Sequence, residues 1–203
     1  MVLNLDQGKA IVSFARKIIE LNFEGVDAQE PEILNDILTE RRGVFVTLDT
    51  YPAGYLRGCI GYPEPVMPLR GALREAALAA ALSDPRFPPL RKEELDSIMV
   101  EVSTLTTPEQ IKVEKPLDYP KHVKVGRDGL IIRRGWMSGL LLPQVPAEYG
   151  WDVEEFLSHT CQKAGLNPDD WLAPGTKIFK FSAQIFSEKK PKGDVVEKKL
   201  GKE

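Results

Sequence analysis

Apolar residues recur along the chain with two different periods, and the changes of period divide it into elements. Residues 6 to 22 place Ile11, Phe14, Ala15 and Ile18 at helical spacing, and Asp6 is suited to cap that helix. A short second helix is expected from Pro31 to about Leu38, with Pro31 in the first turn. The period then becomes two. Gly43-Val-Phe-Val-Thr-Leu48 reads as a strand, Asp49 to Gly54 as a turn, and Tyr55 to Tyr62 as the returning strand of a hairpin. Pro63-Glu-Pro-Val-Met-Pro68 is a stiff connector that leads into an alanine-rich helix over Leu69 to Leu82. Ser83-Asp84-Pro85 stops that helix, because a proline disfavours helical geometry in the residue before it. Glu93 to Asp96 makes at most one helical turn, and Ile98 to Leu105 alternates as a strand.

The second half predicts short strands at Val123 to Val125, Gly129 to Arg134 and Ser138 to Leu142, separated by glycine turns. Asp152 to Ala164 is a helix with Asp152 as cap, Glu155 at the capping-box position and Gly165 just beyond its end. Its buried stripe includes Val153, Phe156, Leu157, Thr160 and Ala164, which places the neighbouring Cys161 in the core. Lys177 to Phe186 alternates as the last strand, and the charged segment from Glu188 onward is expected to be solvated or frayed. Helices interspersed with hairpins predict an α+β protein with mainly antiparallel sheet. The block from about 43 to 108 reads as a smaller lobe, inserted between residues 1–42 and 109–203 of a larger one.

Composition narrows the class. The chain has 203 residues, 42% of them hydrophobic and 28% charged, as in ordinary globular proteins. The longest apolar run, Ala76 to Leu82, falls far short of the roughly 18 to 20 residues of a membrane span. No basic segment followed by an apolar core opens the chain, so a cytoplasmic protein is expected. A net charge of −3 does not favour non-specific nucleic-acid binding, although Arg57, Arg70, Arg74, Arg86 and Arg91 fall close enough together to form a local basic patch. Cys59 and Cys161 are the only cysteines, and His122 and His159 the only histidines; neither type has metal-ligand spacing. Gly54, Gly58 and Gly61 do not precede a helix in the order of a nucleotide fingerprint, so no cofactor is expected.

Candidate chemistry gathers at Tyr55-Leu-Arg-Gly-Cys-Ile-Gly-Tyr62. On an alternating strand, Arg57, Cys59 and Gly61 share one face, with Arg57 and Cys59 α-carbons about 7 Å apart. A guanidinium at that distance stabilises a thiolate by roughly 0.6 kcal/mol in water and about 2.4 kcal/mol at an effective dielectric of 20. The thiol pKa should then fall by about half a unit to nearly two units from about 8.5. Arg57 and Cys59 are therefore the candidate catalytic pair. Gly58 and Gly61 would keep the approach open, and Glu101 and Ser103, on one face of a neighbouring strand, could orient a ligand. The alternative is structural: a buried cysteine packs as a small hydrophobe, and strand glycines mark close helix packing.

The hexapeptide Leu56-Arg-Gly-Cys-Ile-Gly61 carries a resemblance to the AMME syndrome candidate protein family, whose microbial members are called AmmeMemoRadiSam system protein A. Further similar segments are Gly43 to Leu48, Asp84-Pro-Arg-Phe87, Glu101-Val-Ser103, Val125 to Leu130, Gly139 to Val145 and Glu148 to Asp152. The resemblance runs over about residues 5 to 188. It implies a two-lobed α+β protein, no established enzymatic activity, and association with a Memo-like protein and a radical-SAM enzyme. It also implies a role in transcription, repair or translation. Two function classes follow. One is a small-ligand-binding or cysteine-dependent catalytic or carrier domain. The other is an interaction module, docking a protein or RNA through the arginines from 57 to 91.

Overall fold

The computed structural model describes residues 2–198 and has the antiparallel α+β architecture that the alternating periods predict. The first helix, α1, spans Leu5–Asn22. Its cap is Asn4, not Asp6: Asn4 Oδ1 accepts the Gln7 N–H at 2.9 Å, and Gln7 Oε1 accepts the Asn4 N–H at 3.0 Å. Asp6 lies inside the first turn, where a negative charge favours the helix N-terminus. A 3₁₀ turn at Glu32–Leu34 runs into α2 (Asn35–Thr39). The hairpin follows as β1 (Val44–Thr50) and β2 (Leu56–Tyr62), then α3 (Leu69–Leu82) and β3 (Ile98–Leu105).

The chain divides into two compact units, residues 2–105 with Gln184–Lys198, and Thr106–Ala183. This differs from the expected division, because residues 2–42 belong with β1 to β3. Ile11, Phe14 and Ile18 of α1 enter the same apolar cluster as Val46, Val100 and Leu73. In this unit β1 pairs antiparallel with β2 and with β3, bringing Thr47 opposite both Cys59 and Glu101. Helix α3 packs so closely on β2 that a Cβ at Gly58 would run into the Ala80 carbonyl. That glycine is where strand and helix backbones meet.

The segment beyond Glu188 corrects the expectation of a frayed tail. The last strands are β7 (Lys177–Glu188) and β8 (Val195–Lys198). Strand β8 pairs antiparallel with the end of β7, from Ile185↔Lys198 to Glu188↔Val195. Two adjacent valines supply a β-forming pair that the surrounding charges conceal. Residues 199–203 of that segment lie outside the described residues. Glu188 is only 5% exposed, as is Arg16. Arg16 donates to both carboxylate oxygens of Glu188, from Nε at 2.6 Å and Nη2 at 2.5 Å, and to the Leu95 and Ile98 carbonyls. Glu188 also accepts the Val100 N–H at 2.9 Å. One ion pair thus ties α1, β3 and β7.

The second unit contains β4 (Glu109–Gln110), β5 (Asp128–Arg134), β6 (Met137–Leu141), α4 (Gln144–Tyr149) and α5 (Val153–Lys163). Strand β5 pairs antiparallel with β6 and with β7, and β4 lies on the other side of β7. Residues 123–125 are not a strand: 3₁₀ turns at Pro116–His122 lead into them, and Pro116 and Pro120 hold that stretch at helical φ. Helix α5 is capped as its sequence predicts, with the Glu155 N–H donating to Asp152 Oδ1 at 2.8 Å and Gly165 in the left-handed region beyond its end. Cys161 is fully buried with Phe156, Leu157, Ile132 and Ile178, and burial pushes its thiol up to about 11. No helix among the described residues is long and apolar enough to cross a membrane.

Candidate functional site

Alternation along three antiparallel strands aligns a row of polar side chains on the sheet face opposite the one that takes Val46, Val100 and Val102 into the core. Cys59 on β2, Thr47 on β1 and Glu101 on β3 are successive cross-strand partners. The Thr47 hydroxyl donates to Cys59 Sγ at 3.3 Å. Glu101 Oε2 accepts from Lys198 Nζ of β8. Asp49, two residues along β1 from Thr47, is half-buried, and its carboxyl is pushed up by burial and by the Glu101 charge, against the pull of Lys198. Glu101 therefore lies on the Cys59 face, which alternation within β3 alone leaves open and the β1–β3 register decides. Ser103 is buried opposite Phe45, the residue that also faces Gly61.

The main chain of Cys59 is held from outside the sheet by the segment after α3. Its N–H donates to Asp84 Oδ2 at 2.8 Å, and its carbonyl accepts from Arg86 Nη2 at 3.1 Å. Asp84 in turn accepts from Arg86 Nε at 2.9 Å, Nη2 at 2.7 Å and the backbone N–H at 3.1 Å. Donor and acceptor together occupy the position a further strand would take, which satisfies the edge of β2 at this point. Asp84 is 4% exposed. The Arg86 hydrogen bonds hold its carboxyl well below the usual carboxylate range against the opposing effect of burial, and the Cys59 N–H adds to them. Sequence reasoning found the helix stop at Ser83-Asp84-Pro85 and missed this clasp. The available signal was the close spacing of an acid and an arginine around a proline.

Arg57 does not stand beside the sulfur. Its Nε and Nη2 donate to the Glu94 carboxylate at 2.9 and 3.3 Å, and Nη1 to the Pro88 carbonyl at 3.0 Å. The β1–β2 register passes from Leu48↔Gly58 to Asp49↔Leu56, so Arg57 is the extra residue of a bulge. A bulge re-aims the side chain, which is why strict alternation failed there. The guanidinium whose charge reaches Cys59 is that of Arg86.

The direction of the thiol's shift is also opposite to the expected one. Burial pushes the Cys59 pKa up; the Thr47 hydrogen bond and the Arg86 charge pull it down, while the Asp84 and Glu101 charges add to the rise. Desolvation outweighs a single partly exposed cation, so the resting group is a thiol. The glycines do not open an approach either. Ala80 fills the space beside Gly58, and the Phe45 ring and Val44 carbonyl fill that beside Gly61. Of the two histidines, His159 stacks on Trp151 with ring centroids 3.9 Å apart, and the His122 carbonyl accepts from Lys180 Nζ. Both cysteines are free, and the described residues contain no cluster of three or more His, Cys, Asp or Glu side chains able to hold a metal ion.

The chain is 58% identical over 202 residues to protein MJ0810 of Methanocaldococcus jannaschii, covering 98% of each chain. It is 57% identical over 187 residues to a protein of Methanothermobacter thermautotrophicus, covering 92% of this chain and 96% of that one. The crystal structure of the uncharacterized protein PH0010 from Pyrococcus horikoshii superposes with a TM-score of 0.85 at 50% identity, covering 98% of this chain and 99% of that one. The family model described as AMMECR1 matches residues 12–186, a span that takes in Cys59, Asp84, Arg86 and Glu101. The chain belongs to the AMMECR1 family.

Proposed function

We propose that this chain binds a small ligand on the β1–β3 face around Cys59, with the thiol serving in its protonated form. The observation that carries the reading is the contrast between the two cysteines. Cys161 is sealed in an apolar core, whereas Cys59 is half-buried and takes a hydrogen bond from Thr47 beside Glu101 and Asp49. Buried polar groups of this kind supply orientation and specificity in small-molecule sites. Cys59, Thr47 and Glu101 contact the ligand in this reading. Arg57 is a positioning residue that anchors β2, and Arg86 is the guanidinium that tunes the thiol. A cysteine-dependent carrier or catalytic step would then need the ligand to bring its own base or to lower the thiol pKa on binding. The docking-module alternative is less favoured for an RNA partner, because Arg57, Arg70, Arg74, Arg86 and Arg91 each lie within ion-pair distance of a carboxylate that offsets their charge.

The test is alkylation of Cys59 by iodoacetamide, followed by peptide mass, with and without fractions of a small-molecule cell extract. At least one fraction should slow labelling saturably. Glu101→Gln should remove that protection while raising the unprotected rate, since the Glu101 charge helps hold the thiol pKa up. Labelling that no fraction slows, or protection that survives Glu101→Gln, removes the proposal.

A further inference from the structure

Away from the Cys59 face, the second unit has a cleft of about 410 Å³ lined by Thr106, Thr107, Glu109, Arg127, Lys180 and Ser182. Its charges are arranged unequally. Asp128, in the same wall, is buried, and its carboxylate is spent on the Lys124 N–H at 2.8 Å and on Arg127 Nε and Nη2, both at 2.7 Å. That pair fixes the guanidinium edge-on and leaves the Nη1 hydrogens available to a ligand. Lys180 Nζ donates to the His122 carbonyl at 3.2 Å, which leaves two of its three protons. Thr106 Oγ1 accepts the Ser182 N–H at 2.9 Å, so its own proton is free to point into the cleft. Lys180, the outer edge of the Asp128-paired Arg127 and three hydroxyl groups thus line one concave surface, in which Asp128 and Arg127 offset each other's charge. The remaining carboxylate, Glu109, is exposed on β4, directly across from Lys180.

We propose that this cleft binds a small oxyanion, the phosphate or carboxylate group of a metabolite or a free ion, through Arg127 Nη1, Lys180 Nζ and the threonine hydroxyls. Fixed guanidinium and ammonium donors beside hydroxyls form short charge-assisted bonds to such groups. Glu109 opposes the ligand's charge and weakens the site. Nothing in this inference depends on Cys59.

Amide shifts of the ¹⁵N-labelled full chain during titration with inorganic phosphate, and separately acetate, at constant ionic strength test it. Saturable shifts are expected at Thr106, Thr107 and Ser182. Lys180→Met should weaken binding by about tenfold or more, as loss of one charge-assisted bond does, and Glu109→Gln should tighten it. The better of the two anions identifies which group the cleft prefers. The absence of saturable shifts, an affinity that Lys180→Met leaves unchanged, or a loss of affinity in Glu109→Gln would overturn the proposal. The same spectra report whether each variant is folded; if Lys180→Met is not, the wild-type titration and Glu109→Gln decide.

Discussion

Arg16→Ala is expected to cost the chain about 3–5 kcal/mol, the loss seen when one partner of a buried ion pair is removed. Of the bonds described, the buried Glu188 carboxylate would retain only the one from the Val100 N–H. The Leu95 and Ile98 carbonyls would also lose their donor. At about 2–4 °C per kcal/mol for a chain of this size, the thermal midpoint should fall by about 10 °C. The paired variant Arg16→Met, Glu188→Leu should recover part of the loss by removing the orphaned charge. It should not recover all, because Val100 and both carbonyls stay unsatisfied. Thermal denaturation followed by circular dichroism checks the series. A single variant within about 0.5 kcal/mol of wild type would mean that the pair is not buried in solution.

Asp84→Ala is the second large effect. It strips the Cys59 N–H and the Arg86 backbone N–H of their acceptor, and it releases a guanidinium that also holds the Cys59 carbonyl. A loss of about 2–3 kcal/mol is expected, since the Cys59 amide is left half-buried without a partner while Arg86 can turn to water. The pH dependence has a definite sign. The folded-state pKa of Asp84 is depressed, so its contribution is fully present above the unfolded value of about 4 and declines as pH falls toward the folded value. Urea midpoints of wild type and Asp84→Asn should therefore differ most at pH 7, and the gap should begin to narrow as pH falls below about 4, with part of it still present at pH 3. A gap that is constant across that range would show that the carboxylate's charge does not hold the clasp.

What the sequence discloses about this fold is what depends on local periodicity. The β1–β2 hairpin and the Asp152 cap with Glu155 both follow from residues a few positions apart. The misreadings are long-range or turn on one inserted residue. Arg57 was assigned to the sulfur by strict alternation, and a one-residue bulge sent it to Glu94. Glu188 looked like the first residue of a solvated tail because its partner Arg16 lies 172 positions away. Asp84 read as a helix stop, which it is; that it also closes on the edge of β2 depends on how α3 returns the chain to that strand. Besides the close spacing of Asp84 and Arg86 around Pro85, the clasp left a trace in the similarity of Asp84-Pro-Arg-Phe87 to the same family as the hexapeptide, and neither trace carried geometry.

The proposed site requires a Cys59 thiol that is protonated at neutral pH and tuned by Arg86. The pH profile of its alkylation in wild type, Arg86→Gln and Arg57→Gln tests that most directly. The profile should turn above the ordinary thiol value of about 8.5, should move higher in Arg86→Gln, and should stay in place in Arg57→Gln. A wild-type inflection at or below that value, or a shift produced by Arg57 and not by Arg86, would contradict it.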